Sequence, residues 1–178
     1  FVIMMFNVPI PGGTTGHAVG AVLIAILLGP WAAMVAVSLA LIVQALLFGD
    51  GGITAIGANC LTMGAIMPFV GWGAYRLVAG SAPPASVHHW VGGAVGGYLG
   101  LCAAALATGV LLDLQPIVAV DAAGRPLYCP FGLGLAVTAM GLEHLLVFGF
   151  VEGVVTALAV AYLQRSAPDL LAVAVPPP

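Results

Sequence analysis

The chain is 178 residues long; 62% of its residues are hydrophobic and only 5% are charged. About a quarter of the residues of a soluble globular domain are charged, so this composition excludes a soluble domain. Three basic side chains against six acidic ones, with a formal net charge of −3, also exclude a nucleic-acid interface, which needs many cations facing phosphates.

Apolar runs long enough to cross a bilayer dominate the chain. A helical span needs roughly 20 apolar residues to cross the hydrocarbon core, and Gly, Pro and charged residues divide this sequence into such runs. In chain order the predicted elements are the end of a span, a Pro/Gly/Thr loop, a short helix and then the full spans: 1–7, 8–16, 17–28, 31–48, 55–78, 87–112 and 134–164.

This order predicts an all-α fold, a polytopic transmembrane helical bundle with about six helices in this chain and about seven in a full-length protein. The first residues, FVIMMFNV, resemble the last turns of a span, so we expect a truncation at the N-terminus. No shift in composition marks a second domain, and 1–178 is predicted to be a single transmembrane domain. Because 17–28 would rise only about 18 Å, it must tilt, thin the bilayer or rest within the protein.

The arginines predict the orientation of the bundle. Arg76 and Arg165 each end a span, and two spans lie between them, so they share one side of the membrane. The positive-inside rule makes that side cytoplasmic. The loops 8–16 and 48–52 are then both predicted to lie outside. An aromatic belt at the inner boundary is predicted to consist of the tryptophans, Tyr75 and Tyr162.

His17 is the first candidate functional residue. It follows the glycine-rich stretch PIPGGTTG and opens a short helix at the outer face. A neutral imidazole nitrogen there can coordinate a borderline transition metal. The alternative is a helix-end histidine that hydrogen-bonds to its own loop.

A second group of candidates lies in the other outer loop, FGDGGITAIGAN. Asp50 stands between glycines, and Asn59 follows in the next helix. Both can bond to loop backbone groups and brace the turn. Direct contact with a ligand is the alternative.

The last span carries three ionisable residues, Glu143, His144 and Glu152. Such groups are costly inside a membrane and indicate function by default. They predict either a route for a metal ion or a hydrogen bond that fixes the bundle, with the second favoured. His144 and Glu152 as an acid and a base in an intramembrane enzyme form a further alternative.

The stretch VGGAVGGYLG spaces Gly92, Gly96 and Gly100 four apart, which predicts close packing between helices, within the protein or against a partner. A purely structural membrane subunit, which packs through these glycines, remains an alternative function. The adjacent His88 and His89 are predicted to be interfacial loop histidines. The cysteines are predicted to be unpaired small residues within the membrane.

Several catalytic signatures are absent from the sequence. It contains no glycine-rich phosphate loop with lysine, no Ser-His-Asp order and no HExxH motif. If this chain moves a substrate uphill, the ATPase must be a separate polypeptide.

Three stretches resemble the CbiM/NikM family, the substrate-binding components of energy-coupling-factor transporters for cobalt and nickel. They are FNVPIPGGTTGHAVGAVLIAILLGPW, QALLFGDGGITAIGANCLTMGAIMPFVGWGAYR and EHLLVFGFVEGVVTALAVAYLQRSAPDLL. The resemblance implies a non-enzymatic subunit in a bacterial or archaeal cell membrane that captures Ni(II) or Co(II) from outside as its transported substrate. It implies a transmembrane coupling subunit and two ATPase subunits as partners, with or without a small accessory membrane subunit.

The resemblance also implies the ligands. In that family an N-terminal Met-His and a histidine in the loop matching GGTTGH hold the metal. Only the last ligand carries over, onto His17, since Phe1-Val2 cannot replace Met-His. Thr15, Asp50 and Asn59 are then expected to support the ligand without binding the metal. A planar set of nitrogen donors suits Ni(II), and the GGTTGH form resembles the nickel-type members, so nickel is favoured over cobalt.

Overall fold

The computed structural model describes residues 2–10, 14–129 and 131–173, which fold into an all-α bundle. A 3₁₀ turn, Val2–Met5, stands where the sequence predicted the end of a span. Six helices follow: α1 Ala21–Leu28, α2 Pro30–Phe48, α3 Ile53–Ala79, α4 Val87–Val118, α5 Leu135–Ser166 and α6 Asp169–Val173. By length and composition, α2 to α5 are each able to span a membrane. The predicted fold class is therefore confirmed.

The predicted loop 8–16 contains regular structure. Two short antiparallel strands, β1 Val8–Ile10 and β2 Thr14–Gly16, form a hairpin in which Pro9 lies opposite Thr15. The prediction of a Pro/Gly/Thr loop was therefore wrong at both ends, which form strands, and its middle, 11–13, lies outside the described residues. The hairpin leads directly into His17, whose direction of entry into the bundle it fixes.

The short helix α1 rests within the protein, the third of the predicted possibilities. Its residues Ala21, Val22, Ala25 and Ile26 have no exposed surface, and α1 packs against α2, α3, α4 and α5. A helix that is apolar all round lies in a protein core or spans a membrane, and α1 is too short to span one alone. Gly29, at a φ of 85°, ends α1, and Pro30 begins α2 in the first helical position, where its missing N–H costs nothing.

The glycines of α4 hold the bundle together along two faces. Gly92, Gly96 and Gly100 face α3, while Gly93 and Gly97 face α5. A Cβ on Gly96 would lie 2.6 Å from the carbonyl oxygen of Gly71, which shows how closely the two backbones approach. The predicted small-residue packing thus takes place inside this protein, between helices of the same chain.

The end of α4 and the start of α5 are joined by a carboxylate. Helix α4 continues through Pro116 to Val118, six residues beyond the predicted boundary of 112. Within that extension, Asp113 accepts hydrogen bonds from the backbone N–H groups of Gly134, Ala136 and Val137, at 3.0 to 3.2 Å. An acid at a helix N-terminus satisfies otherwise unpaired N–H groups and complements the helix dipole.

Two predictions were wrong, one for Tyr75 near the C-terminus of α3 and one for His89 near the N-terminus of α4. His89 is 1% exposed and lies in the first turn of α4, so it is not an interfacial loop histidine. Its Nε2 donates to the carbonyl oxygen of Ala82 at 3.0 Å, and its Nδ1 accepts from the Tyr75 hydroxyl at 2.6 Å. Tyr75 is accordingly buried and does not belong to an aromatic belt. A buried polar network has to pair all its members, and only the fold brings these two together.

Candidate functional site

A cavity of about 730 Å³ lies at one end of the bundle, where the β-hairpin meets α2 to α5. Both loops that were predicted to share the outer face contribute to its walls. Its lining includes Thr15, His17, Asp50, Asn59, Met140 and His144. The structure therefore brings all four of the predicted site residues to one cavity.

His17 enters the cavity wall as a partly buried side chain with a defined tautomer. Its Nδ1 lies 3.1 Å from the carbonyl oxygen of Ala18. Because a carbonyl oxygen only accepts, Nδ1 carries the proton and donates, and Nε2 keeps its lone pair. Metal-binding histidines use the same kind of hydrogen bond, in which a bond on one nitrogen orients the other.

The charge state of His17 suits the same role. Burial lowers the pKa of the His17 imidazole below its ordinary value of 6.5, against the hydrogen bond to Ala18 and the Asp50 carboxylate, which both raise it. The ring is therefore neutral at pH 7, and a cation need not displace a proton from it. Since the unfolded chain binds this proton more readily, His17 lowers the stability of the fold as the pH falls below 6.5.

We expect the His17 imidazole to titrate at a pH below 6.5, and the variant Asp50→Asn to move the midpoint lower still, because it removes a negative charge that favours the protonated ring. Histidine-selective isotope labelling and NMR in detergent micelles measure both midpoints. Asp169→Asn, which removes a carboxylate that does not act on His17, is the matched control. An Asp50→Asn midpoint at or above that of the unsubstituted protein would contradict the assignment.

Glu152 fixes the backbone that follows His17. Its side chain is 0% exposed, and its carboxyl oxygens accept from the N–H groups of Val19 at 2.8 Å and Gly20 at 2.9 Å. These N–H groups precede α1, so the carboxyl group of α5 caps a helix 132 residues away in sequence. The predicted bundle-fixing hydrogen bond is therefore present at Glu152.

Glu143 and His144 lie beside the end of the hairpin. The Glu143 carboxyl group packs against the Cα of Gly16, so closely that any Cβ there would overlap it. The Nδ1 of His144 lies 2.9 Å from the Met140 carbonyl oxygen, one turn earlier in the same helix, and 2.8 Å from Oε2 of Glu143. The side-chain contacts of His144 thus stay within α5, unlike those of the Glu152 side chain. Only the backbone carbonyl oxygen of His144 reaches another helix among the described residues, where it accepts from the Cys102 thiol of α4 at 3.6 Å.

The loop between α2 and α3, the second that was predicted to lie outside, is braced by its own polar groups. Gln44 donates from Nε2 to Asp50, and Asn59 donates from Nδ2 to the Gly51 carbonyl oxygen at 3.1 Å. Both bonds hold the turn between α2 and α3 against the cavity. A role for Thr15, Asp50 or Asn59 beside a metal ion stays a prediction.

Sequence reasoning missed a shared feature of the cavity wall. Three π-helical segments interrupt the spans, Gln44–Phe48, Cys60–Ile66 and His144–Phe148. Each supplies one of the lining residues Gln44, Met63 and His144. A π segment widens a helix by one residue per turn and is frequent at functional sites. Their apolar composition does not distinguish these segments from the α-helical turns beside them.

The described part of the chain holds no group of three or more His, Cys, Asp or Glu side chains arranged to bind a metal ion. Its three cysteines, Cys60, Cys102 and Cys129, are unpaired, as predicted. Among the described residues that line the cavity, His17 and His144 supply imidazole nitrogens that can bind a metal ion. Met63, Met140 and Cys129 add sulfur atoms to its walls.

Comparison with known proteins places this site in context. A family model described as CbiM, cobalt uptake substrate-specific transmembrane region, matches residues 1–170. The probable fused nickel transport protein LarMN of Lactiplantibacillus plantarum is 55% identical over 171 residues, which cover 96% of this chain and 51% of that protein. The fused nickel transport protein NikMN of Rhodobacter capsulatus is 54% identical over 172 residues, covering 97% and 50%. The chain thus spans about half the length of these curated relatives.

Solved structures agree with the sequence comparison. A crystal structure described as a truncated transition metal transporter superposes with a TM-score of 0.85 at 55% identity, covering 93% of this chain and 75% of that one. A second, described as a transition metal transporter, also gives a TM-score of 0.85 at 55% identity and is covered over 71% of its length.

Proposed function

This chain belongs to the CbiM family, and on that premise we propose that it is the part of a membrane importer that captures Ni(II), or less strongly Co(II), from outside the cell. The observation that carries the proposal is the His17 imidazole, which is neutral, has its Nδ1 held by Ala18 and therefore offers Nε2 as a ligand at the cavity. Imidazole nitrogen suits Ni(II) and Co(II), whereas Mg(II) and Ca(II) prefer oxygen.

The fused nickel transport proteins among the relatives support nickel as the preferred cargo. In this proposal the remaining nitrogen ligands come from an N-terminal Met-His of the parent protein, as the family resemblance implies. Thr15, Asp50 and Asn59 hold the two loops that frame the ion. The protein lies in a bacterial or archaeal cell membrane, with the cavity facing outward.

Transport against a gradient needs an energy source that this sequence lacks, since it contains no phosphate-binding loop with lysine. We therefore propose an energy-coupling-factor arrangement, in which a transmembrane coupling subunit and two ATPase subunits drive the import, with or without a small accessory membrane subunit. Nickel or cobalt is the substrate of this assembly and not a resident cofactor.

The two alternative functions have less support. An intramembrane acid–base pair needs both groups at a shared cavity, but Glu152 is engaged by two backbone N–H groups and does not line the cavity that His144 lines. A purely structural subunit would use the glycines of α4 against a partner. Five of those glycines instead contact α3 and α5 of the same chain.

Nickel titration of the full-length parent protein, purified in detergent with its natural N-terminus, tests the proposal. We expect His17→Ala to weaken Ni(II) binding on the order of 100-fold. Loss of a residue that only hydrogen-bonds to a metal ligand already costs about 10–100-fold in affinity, and loss of the ligand itself should cost at least as much. His88→Ala is the matched control, because His88 is exposed and lies at the start of α4, away from the cavity. Equal affinity in His17→Ala and the unsubstituted protein would refute the assignment of His17.

A further inference from the structure

His144 is a second imidazole on the wall of the cavity that His17 lines. It sits in α5, one of the four helices able to span a membrane, and is 3% exposed. His17, by contrast, belongs to the segment between the hairpin and α1. A buried ionisable residue in a span is expensive to keep unless it has a partner or a task.

The hydrogen bonding of His144 leaves one nitrogen unused. The Met140 carbonyl oxygen, 2.9 Å from Nδ1, only accepts, so Nδ1 carries the proton and Nε2 keeps its lone pair. No described residue donates a hydrogen bond to this Nε2. Because the Met140 bond is made within α5, it orients the ring without fixing the bundle. His144 therefore repeats the arrangement of His17, in which a backbone carbonyl sets the tautomer and Nε2 is available.

Glu143 adds a second observation that points to a cation. Its Oε2 lies 2.8 Å from Nδ1 of His144, yet neither carboxyl oxygen accepts a hydrogen bond from a described residue, although both are buried. A buried carboxylate without hydrogen bonds is costly, and a nearby positive ion offsets that cost. A carboxyl group 2.8 Å from the ring also favours a cation held by that ring, through charge alone.

Contact between the two chain segments brings the histidines to one place. The Glu143 carboxyl group packs against Gly16, and His144 and His17 are the next residues along their segments. The Thr14 hydroxyl also lies 3.3 Å from the Met140 sulfur, which joins the hairpin to the same turn of α5. A π-helical segment begins at His144 and adds a further mark of a functional position.

We propose that Nε2 of His144 is a second metal-binding position on the wall of this cavity, oriented by the Met140 carbonyl oxygen and lying beside the Glu143 carboxyl group. It receives Ni(II) or Co(II) from the site at His17. This inference rests on the proposed function. The captured ion moves from the loop ligand to an imidazole in a membrane-spanning helix, and so takes its first step from the outer face into the bundle.

Ni(II) titration of the full-length parent protein in the His17→Ala background tests this position. We expect weak binding to remain in His17→Ala and to fall at least about tenfold further in the double variant His17→Ala/His144→Gln. Glu143→Gln in the same background is expected to weaken it about tenfold, because it removes the charge behind the ring. His17→Ala/His88→Ala is the matched control and should bind as His17→Ala does.

A footprint on the unsubstituted protein decides the question even if His144→Gln fails to fold. Diethylpyrocarbonate modification, read by mass spectrometry, should be slowed by Ni(II) at His17 and His144 and unchanged at the exposed His88. The proposal is overturned if the residual affinity of His17→Ala survives the added His144→Gln substitution, or if Ni(II) does not slow the modification of His144. Either result leaves capture at His17 intact. Failure of the unsubstituted protein to retain Ni(II) would instead refute the proposed function itself, and this inference with it.

Discussion

Replacing Glu152 with alanine is expected to lower the free energy of unfolding by about 3 kcal/mol and to weaken Ni(II) binding about tenfold. The first effect arises because the N–H groups of Val19 and Gly20 lose their acceptors, at 2.8 and 2.9 Å, and the bond to Val19 is buried. The second arises because these N–H groups follow His17 by two and three residues, so the imidazole loses its fixed position.

Glu152→Gln separates the two effects. The amide keeps one carbonyl oxygen as an acceptor at nearly the same volume, so we expect a smaller loss of stability than in Glu152→Ala and a binding defect of the same direction. Thermal unfolding in detergent measures the loss of stability, and Ni(II) titration of the full-length parent protein measures the binding defect. If Glu152→Ala unfolds at the temperature of the unsubstituted protein, the carboxyl group does not hold the start of α1.

Replacing Gly96 with leucine is expected to cost at least about 3 kcal/mol of stability, since overpacking a tight contact typically costs 1–3 kcal/mol when side chains can yield. At this position the neighbour cannot yield. The new Cβ would lie 2.6 Å from the Gly71 carbonyl oxygen and 3.3 Å from the Tyr75 Cβ, so α3 and α4 must move apart as rigid helices. We expect most of the protein to aggregate or be degraded on expression.

Gly73→Leu is the matched control for Gly96→Leu. Gly73 lies in α3, close in sequence to Gly71, but nothing stands within 4 Å of a Cβ built on it. Size-exclusion profiles and melting temperatures of the two variants, compared with Gly96→Ala as an intermediate step, should rank Gly73→Leu as stable, Gly96→Ala as impaired and Gly96→Leu as worst. Equal melting temperatures for the two leucine variants would contradict the close contact of α3 and α4.

The position of the polar groups connects this packing with the proposed capture of a metal. The glycines of α4 bring α3 and α5 close on two faces, and α1 fills the space between the helices. With α1 enclosed, its start can be capped from α5 by Glu152, and His17 is carried to the cavity. The backbone after the loop histidine is thus fixed by a side chain of a spanning helix, and a preorganised ligand needs such support.

Much of the fold was predictable from local pattern. Long apolar runs predicted the four spans, the pair Gly29-Pro30 predicted the break between α1 and α2, and four-residue glycine spacing predicted close helix packing. Each of these signals acts within about one helical turn or one bilayer crossing, so the sequence displays it directly. The prediction that the loops 8–16 and 48–52 lie at the same end of the bundle also needed only the count of spans.

The partners of the polar side chains were not predictable in the same way. His89 seemed an interfacial residue but pairs with Tyr75, and His144 was expected to fix the bundle but bonds within its own helix. The hairpin that pairs Pro9 with Thr15 was not predicted, because a three-residue strand has too few alternating positions to be recognised. The π-helical segments were missed since the widening of a turn depends on what packs against it.

By itself, the sequence determined that this chain crosses a membrane several times, where it turns, and that an imidazole stands after a glycine-rich turn, because hydrophobicity, Gly and Pro act locally. Only the tertiary structure decided that Glu152 caps α1, that Glu143 packs on Gly16, and that His17 and His144 share a cavity. The physical reason is that a buried polar group takes whichever partner the packed helices bring within about 3 Å. For Val19 and Glu152 that partner lies 133 residues away, and no local pattern records it.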